Sequence, residues 1–244
     1  MKKLVILSAL FSLGIMGIRA QSASSLMNSV KKAVGGGNSG SSLSTDEIVS
    51  GLKEALSLGA QKSADKLSVA DGFFKDAAVK ILLPEQAQKV EKTLRNMGMG
   101  KMVDDAILSV NRAAEDASKS ATPIFVNAVK KMSIQDAVGI LRGTDTAATS
   151  YLKKTTTPDL TAAYKPVIDN SLKKTDATKY WKTVFETYNN LPTTFKKVDT
   201  DLSSYVTQKA MDGIFYYVAV EEKKIRKDPA AQVTDILKKV FGGK

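Results

Sequence analysis

Residues 101–142, KMVDDAILSVNRAAEDASKSATPIFVNAVKKMSIQDAVGILR, decide the fold class. Over about 101–120, Val103, Ala106, Ile107, Val110, Ala114 and Ala117 share one face at ~100° per residue, the period of an amphipathic α-helix. Asp104, Leu108, Asn111 and Glu115 form a second stripe at the edge of that face, and Arg112 is spaced to pair with Asp116. An amide and two carboxylates therefore border an apolar surface, where desolvation gives polar groups weight. Ordinary boundary hydrogen bonds and ion pairs are the plainer account of the same residues. The alanines of NRAAEDA let another helix approach closely. Thr122-Pro123 reads as N-cap and first position of the next helix. Ser133 and Asp136 have capping-box spacing at the start of a third, with Asp in place of the usual Glu or Gln, and Gly143 stops it.

Helical periods continue on both sides. Ser44 or Thr45 caps a helix with Asp46 and Glu47 in its first turn, running to about Ser68. VADGFFK at 69–75 reads as a turn signalled by Asp71-Gly72, with Phe73 and Phe74 as core anchors. Residues 76–83 are expected to form a short helix ended by Pro84, which opens another that Gly98 closes. Met97, Met99 and Met102 cluster as gap-fillers. Downstream, Thr144 caps a helix to about 157, Thr157-Pro158 starts the next, and Pro166 is expected to kink or break it. Residues 175–190 form an aromatic-rich helix, Leu191-Pro192 a turn, and 201–227 a long helix. On that last helix Val206, Ala210, Ile214, Tyr217, Val218 and Ile225 make one face, with Glu221 near its middle and Glu222 and Arg226 further round, spaced to pair. A carboxylate in an apolar face must be paired, protonated or at a pocket; Arg112 and Arg142 are the candidate partners for Glu221. The expected fold is all-α, a compact multi-helix domain of about ten helices over 44–244.

The ends and the composition bound the function. Residues 1–20 have the layout of a secretory signal: Lys2-Lys3, an apolar run from Leu4 to about Ile18, and Ala20 before a cut that leaves Gln21 first. Residues 21–43 hold a weak helical pattern and the linker GGGNSGSS at 35–42. The chain has 244 residues, no cysteine and no histidine. Disulfides, thiol nucleophiles, histidine triads and the usual zinc sites are thereby excluded, and so is a lipid anchor on cysteine. The net charge is +11; Lys2, Lys3 and Arg19 are unopposed in the first 20 residues, which leaves +8 beyond them. Such a surface favours anionic partners, although the lysines are scattered in pairs along helix faces.

The segments DGFFKDAAVKILLPE, VDDAILSVNRAAEDA, PIFVNAVKKMSIQDAVGILRGTDTAATSYLKKTT and YVTQKAMDGIFYYVAVEEKKIRKDPAAQVTDILKKVFG resemble the bacterial family called domain of unknown function number 4197. The resemblance runs from about Leu43 to Phe241. It implies a secreted or envelope-associated helical domain of Gram-negative bacteria and brings no activity, so it assigns no catalytic residue.

The leading expectation is a periplasmic or secreted, non-enzymatic binding or envelope-maintenance protein. Its partner would be an apolar or anionic small ligand or an envelope protein, with nucleic acid disfavoured. The candidate ligand-binding cluster is Asn111, Arg112, Glu115 and Glu221. No catalytic residue, metal site, cofactor or membrane-spanning helix of the exported chain is assigned. One alternative is a carboxylate-dependent hydrolase or oxygen-ligated metal enzyme drawing on Asp104, Glu115, Asp136, Asp145 and Glu221. The other is electrostatic adhesion to an anionic polymer or lipid, which would weaken steeply with salt.

Overall fold

The computed structural model describes residues 44–174, 177–190, 197, 201–232, 234–235 and 238. The expected signal sequence, the linker, the Leu191-Pro192 turn and most of a terminal helix over 230–241 lie outside the described residues. Those described form eight α-helices and two 3-10 turns, with no strand: α1 Thr45–Ser68, a 3-10 turn Glu85–Ala87, α2 Gln88–Asn96, α3 Gly100–Ser118, α4 Ala121–Lys131, α5 Ile134–Arg142, α6 Ala147–Lys174, α7 Ala177–Asn189, α8 Leu202–Lys227, and a 3-10 turn Pro229–Ala231. The all-α class is as the sequence predicts, with eight helices rather than ten.

Two of the differences from the expected helices fall within the described residues. Residues 147–174 make one helix, not two, although Pro158 and Pro166 lie inside it. Each proline removes one ladder bond, that to the carbonyl of Lys154 or Ala162; the hydroxyls of Thr155, Thr156, Thr157 and Thr161 donate to other main-chain carbonyls four residues earlier. Leu152, Leu160, Tyr164, Ile168 and Leu172 are buried along its length, so packing carries the helix through both prolines. The expected helix at 76–83 is instead a turn followed by chain without regular structure. Pro84 disfavours helical geometry at Leu83, and the main chain of Ile81 bonds to a side chain described below rather than to a helix ladder.

Local signals set most helix ends. Ser44 and Glu47 close a reciprocal capping box on α1, and Ser133 and Asp136 do the same on α5. Asp201 caps α8 through Ser204 N–H at 3.0 Å. Gly98 takes φ 80° after α2, a conformation that favours glycine. Two expected caps move. Helix α4 begins at Ala121 with Ser120 as N-cap, so Thr122-Pro123 lies within its first turn. Helix α6 is capped from another helix rather than by Thr144.

Helix α3 is the hub, packed against α1, α2, α6, α7 and α8. Ala113, Ala114 and Ala117 are fully buried there, where small side chains allow neighbouring helices close. Helix α6 lies on α3 and α8, α1 lies on α8 and α4, and α4 also meets α6. The shared core includes Leu52, Leu67, Phe73, Val110, Phe125, Leu160, Ile168, Val206 and Ile214. Phe125 and Phe215 meet edge-to-face at 5.8 Å between ring centres. None of the described helices is long and apolar enough to cross a membrane.

Candidate functional site

Between α1 and the first 3-10 turn lies a segment without regular structure, residues 69–84. An irregular stretch of about this length inside a helical domain is uncommon and often functional. Four of its apolar side chains are drawn inward, Phe73 and Ile81 essentially fully buried and Val79 and Leu83 nearly so, while Val69 and Leu82 stay exposed. The ring of Phe73 lies directly on Gly213 of α8, where an added Cβ would stand 2.5 Å from Phe73 Cε1. The turn at its start has Asp71 at φ 70°. Asp tolerates that conformation. At Gly72 a Cβ would approach Lys66 O to 2.6 Å, so the turn requires glycine there.

The buried main chain of this loop finds its partners on α3. Asn111, fully buried, accepts from Ile81 N–H at 2.9 Å and donates to Ile81 C=O at 2.9 Å and to Ile107 C=O at 2.7 Å. One amide side chain thus replaces both ladder bonds that Ile81 would make in a helix or sheet. Glu115, also buried, accepts from Phe73 N–H at 3.1 Å and Phe74 N–H at 3.2 Å through Oε1. Its Oε2 accepts from Arg112 at 2.6 Å, and the same guanidinium reaches Asp71 at 2.7 Å. Arg112 pairs with these two acids and not with Asp116, which pairs with Lys119 at 2.8 Å and accepts from Ser171. Helix α3 carries the three residues, and all three hold the loop.

Helices α1 and α8 complete the clamp. Tyr217 donates a short hydrogen bond to Asp76, and Lys66 lies 3.3 Å from the same carboxylate. The Tyr217 bond, with the Ala78 N–H and Lys66, holds the Asp76 carboxyl below its ordinary range against a smaller effect of burial. Asp71 is lowered by Lys75 first and Arg112 second. The Tyr205 hydroxyl donates to Leu82 C=O at 2.8 Å, and burial pushes it up to about 12.

Glu221, the fourth expected residue, sits elsewhere. It pairs with Lys224 on its own helix at 2.6 Å, and its Cβ faces Gly59 of α1. Neither Arg112 nor Arg142 bonds it in the contacts seen. The deeply buried carboxylate of α8 is its neighbour Glu222, whose side chain is 4% exposed. Glu222 accepts from Ala148 N–H at 2.9 Å, from Thr149 N–H and hydroxyl at 2.8 Å, and from Arg226 at 2.9 Å. It is the N-terminal cap of α6. Arg226 also donates to Ile140 C=O at 2.8 Å, tying in the end of α5. The expected Glu222–Arg226 pair forms; the expected depth of the two glutamates is exchanged.

The remaining candidate acids are separately engaged. Asp104 is bound by Arg95 at 2.7 Å, which lowers its pKa. Asp136 is occupied by Ser133, and Asp145 pairs with Lys227. Among the described residues no three Asp or Glu side chains converge as a metal site.

Three open clefts border the loop. One of about 470 Å³ is lined by Lys80, Ile81, Leu82, Leu83, Pro84, Glu85, Gln88, Tyr205 and Lys209. Another of about 270 Å³ adjoins it across Lys80 and Lys209 and reaches Asp212 and Tyr216. A third, about 610 Å³ and shallower, lies at the turn, lined by Lys66, Val69, Asp71, Lys75 and Asp76 among others. Sequence reading found the α3 residues that support these clefts and missed their walls. Lys80 and Lys209 are 129 positions apart and carry no local signal.

Fold and site together define an all-helical domain with one long ordered loop that forms open clefts against its last long helix. The chain belongs to the family described as Protein of unknown function (DUF4197), whose model matches residues 42–242. No curated protein and no solved structure matches it.

Proposed function

We propose that the protein is an exported, non-catalytic binding protein of the bacterial envelope, and that its binding face is the loop 69–84 with the exposed side of α8. The observation that carries this reading is the clamp on the loop. Buried polar side chains from α3 fix an irregular main chain that walls three clefts, and preorganised walls of this kind reduce the ordering cost of binding. The absence of histidine and cysteine, and the internal engagement of Asp104, Glu115, Asp136, Asp145 and Glu221, favour binding over carboxylate chemistry. The signal-like residues 1–20 supply the route out of the cytoplasm.

The test combines cell fractionation, N-terminal sequencing and native mass spectrometry of the protein recovered from its own compartment. The reading expects a chain beginning at Gln21 in the periplasm or medium, carrying a small-molecule adduct or acquiring one from an envelope extract. A chain that keeps Met1 in the cytoplasm, or that stays bare in the extract, contradicts it.

A further inference from the structure

Resting on the binding reading above, we propose that the paired clefts around Lys80 and Lys209 take a small amphiphile: one compact anionic group, carboxylate or phosphate, on an apolar body. The two clefts share both lysines, so they adjoin at these cations. Together they fall within the usual size of small-ligand sites. Neither ammonium has a carboxylate partner among the described residues. Lys80 Nζ instead lies 4.2 Å from the centre of the Phe74 ring, and Lys209 Nζ 5.9 Å from that of Tyr205. Asp104, within the field of Lys80, is bound by Arg95, while Asp212 accepts only from the neutral amide of Gln208 at 3.0 Å and keeps its charge.

Each cleft mixes polar and apolar walls and offers at least one large hydrophobic side chain beside the cations, Leu82 in the first and Tyr216 in the second. Leu82 is 52% exposed and Tyr216 47%, large hydrophobic side chains left to solvent in the two adjoining clefts. Glu85 lines the first cleft and Asp212 the second. An acid in each cleft opposes an extended polyanion and suits a single anionic group at the two lysines that the clefts share. The wall that carries Lys80 and Leu82 is fixed from behind by Asn111 and from the side by Tyr205, so the site exists before a ligand arrives.

Isothermal titration of the purified chain tests this with decyl phosphate, decanoate, decanol and inorganic phosphate, each below its micelle-forming concentration. The expected result is binding of the two anionic amphiphiles, with decanol and inorganic phosphate at least ~10-fold weaker, a difference of about 1.4 kcal/mol. The double variant Lys80→Ala/Lys209→Ala should lose at least that factor for both anions, keep its decanol affinity, and keep the helical circular dichroism of the parent. A preference between phosphate and carboxylate separates a phospholipid-derived source from a fatty-acid-derived one. Equal binding of decanol, or undiminished anion binding by the double variant, overturns the proposal. If the native adduct is present but none of these probes displaces it, the ligand class is wrong while the binding reading stands. If neither adduct nor probe binds, both fall.

Discussion

Glu115 on α3 and Glu222 on α8 perform the same act in two settings. Each is a buried carboxylate that accepts two consecutive main-chain N–H groups and an arginine about one turn away. Around Glu222 little is open to water: the Arg226 side chain is 10% exposed, and the N–H groups begin a helix, where the dipole adds to the attraction. Around Glu115 the arginine is 39% exposed, and the N–H groups belong to an irregular turn. The first device closes the core by starting α6. The second fixes a loop at the surface and so shapes clefts. Burial of the partner, rather than the type of bond, separates a structural use of Glu–Arg from one that presents a surface.

That contrast orders the expected effects. Glu222→Ala should be the most damaging change, about 3–5 kcal/mol in urea unfolding, because Arg226 is left charged in the core and α6 loses its cap. A loss below ~1 kcal/mol would mean that the dry setting does not matter. Asn111→Ala should cost about 1–3 kcal/mol, since Ile81 N–H and C=O are then buried without partners. Its effect should concentrate in the loop, visible as altered amide shifts at 73–82 with α6 little changed. Arg112→Ala should cost only about 1 kcal/mol, because solvent screens this half-exposed cation and Glu115 keeps its two N–H donors. A cost equal to that of Arg226→Ala would erase the distinction.

The smallest effect is with pH. The Asp76 carboxyl is held below its unfolded value of 3.8 by the Tyr217 hydrogen bond first, so the unfolded chain binds more protons in the window between the two values. The stability it contributes is complete above the unfolded value and is lost as pH falls through the folded one. Asp76→Asn should therefore flatten the acid limb of the stability profile below about pH 4–5 and leave neutral pH little changed in slope. An acid limb identical to the parent would remove Asp76 from the clamp.

What the sequence made legible follows from range. Ser44 with Glu47, Ser133 with Asp136, and Gly98 are local devices, and each does in space what its spacing indicates. The polar stripe of α3 was legible as a stripe, because Asn111 and Glu115 recur with the period of the apolar face. Its partners were not. Ile81 lies 30 residues from Asn111, and nothing in DAAVKILLP announces that its main chain is bonded by a side chain, so a helix was the natural reading. On α8 the buried file runs Val206, Ala210, Ile214, Val218, Glu222, each four residues on. A face drawn through Tyr217 shifts by one position and brings Glu221 inward in place of Glu222. Through Pro158 and Pro166 the helix persists because its buried residues pack against the core along its whole length, a support that proline alone does not reveal.

The most direct test of the account is amide hydrogen exchange over residues 69–84, in the parent and in Asn111→Ala. The account predicts that Phe73, Phe74 and Ile81 in the parent exchange nearly as slowly as core helix amides, within about tenfold, and that Asn111→Ala speeds Ile81 far more than the amides of α6. Free exchange of these three amides in the parent, at the rate of an exposed loop, would contradict it.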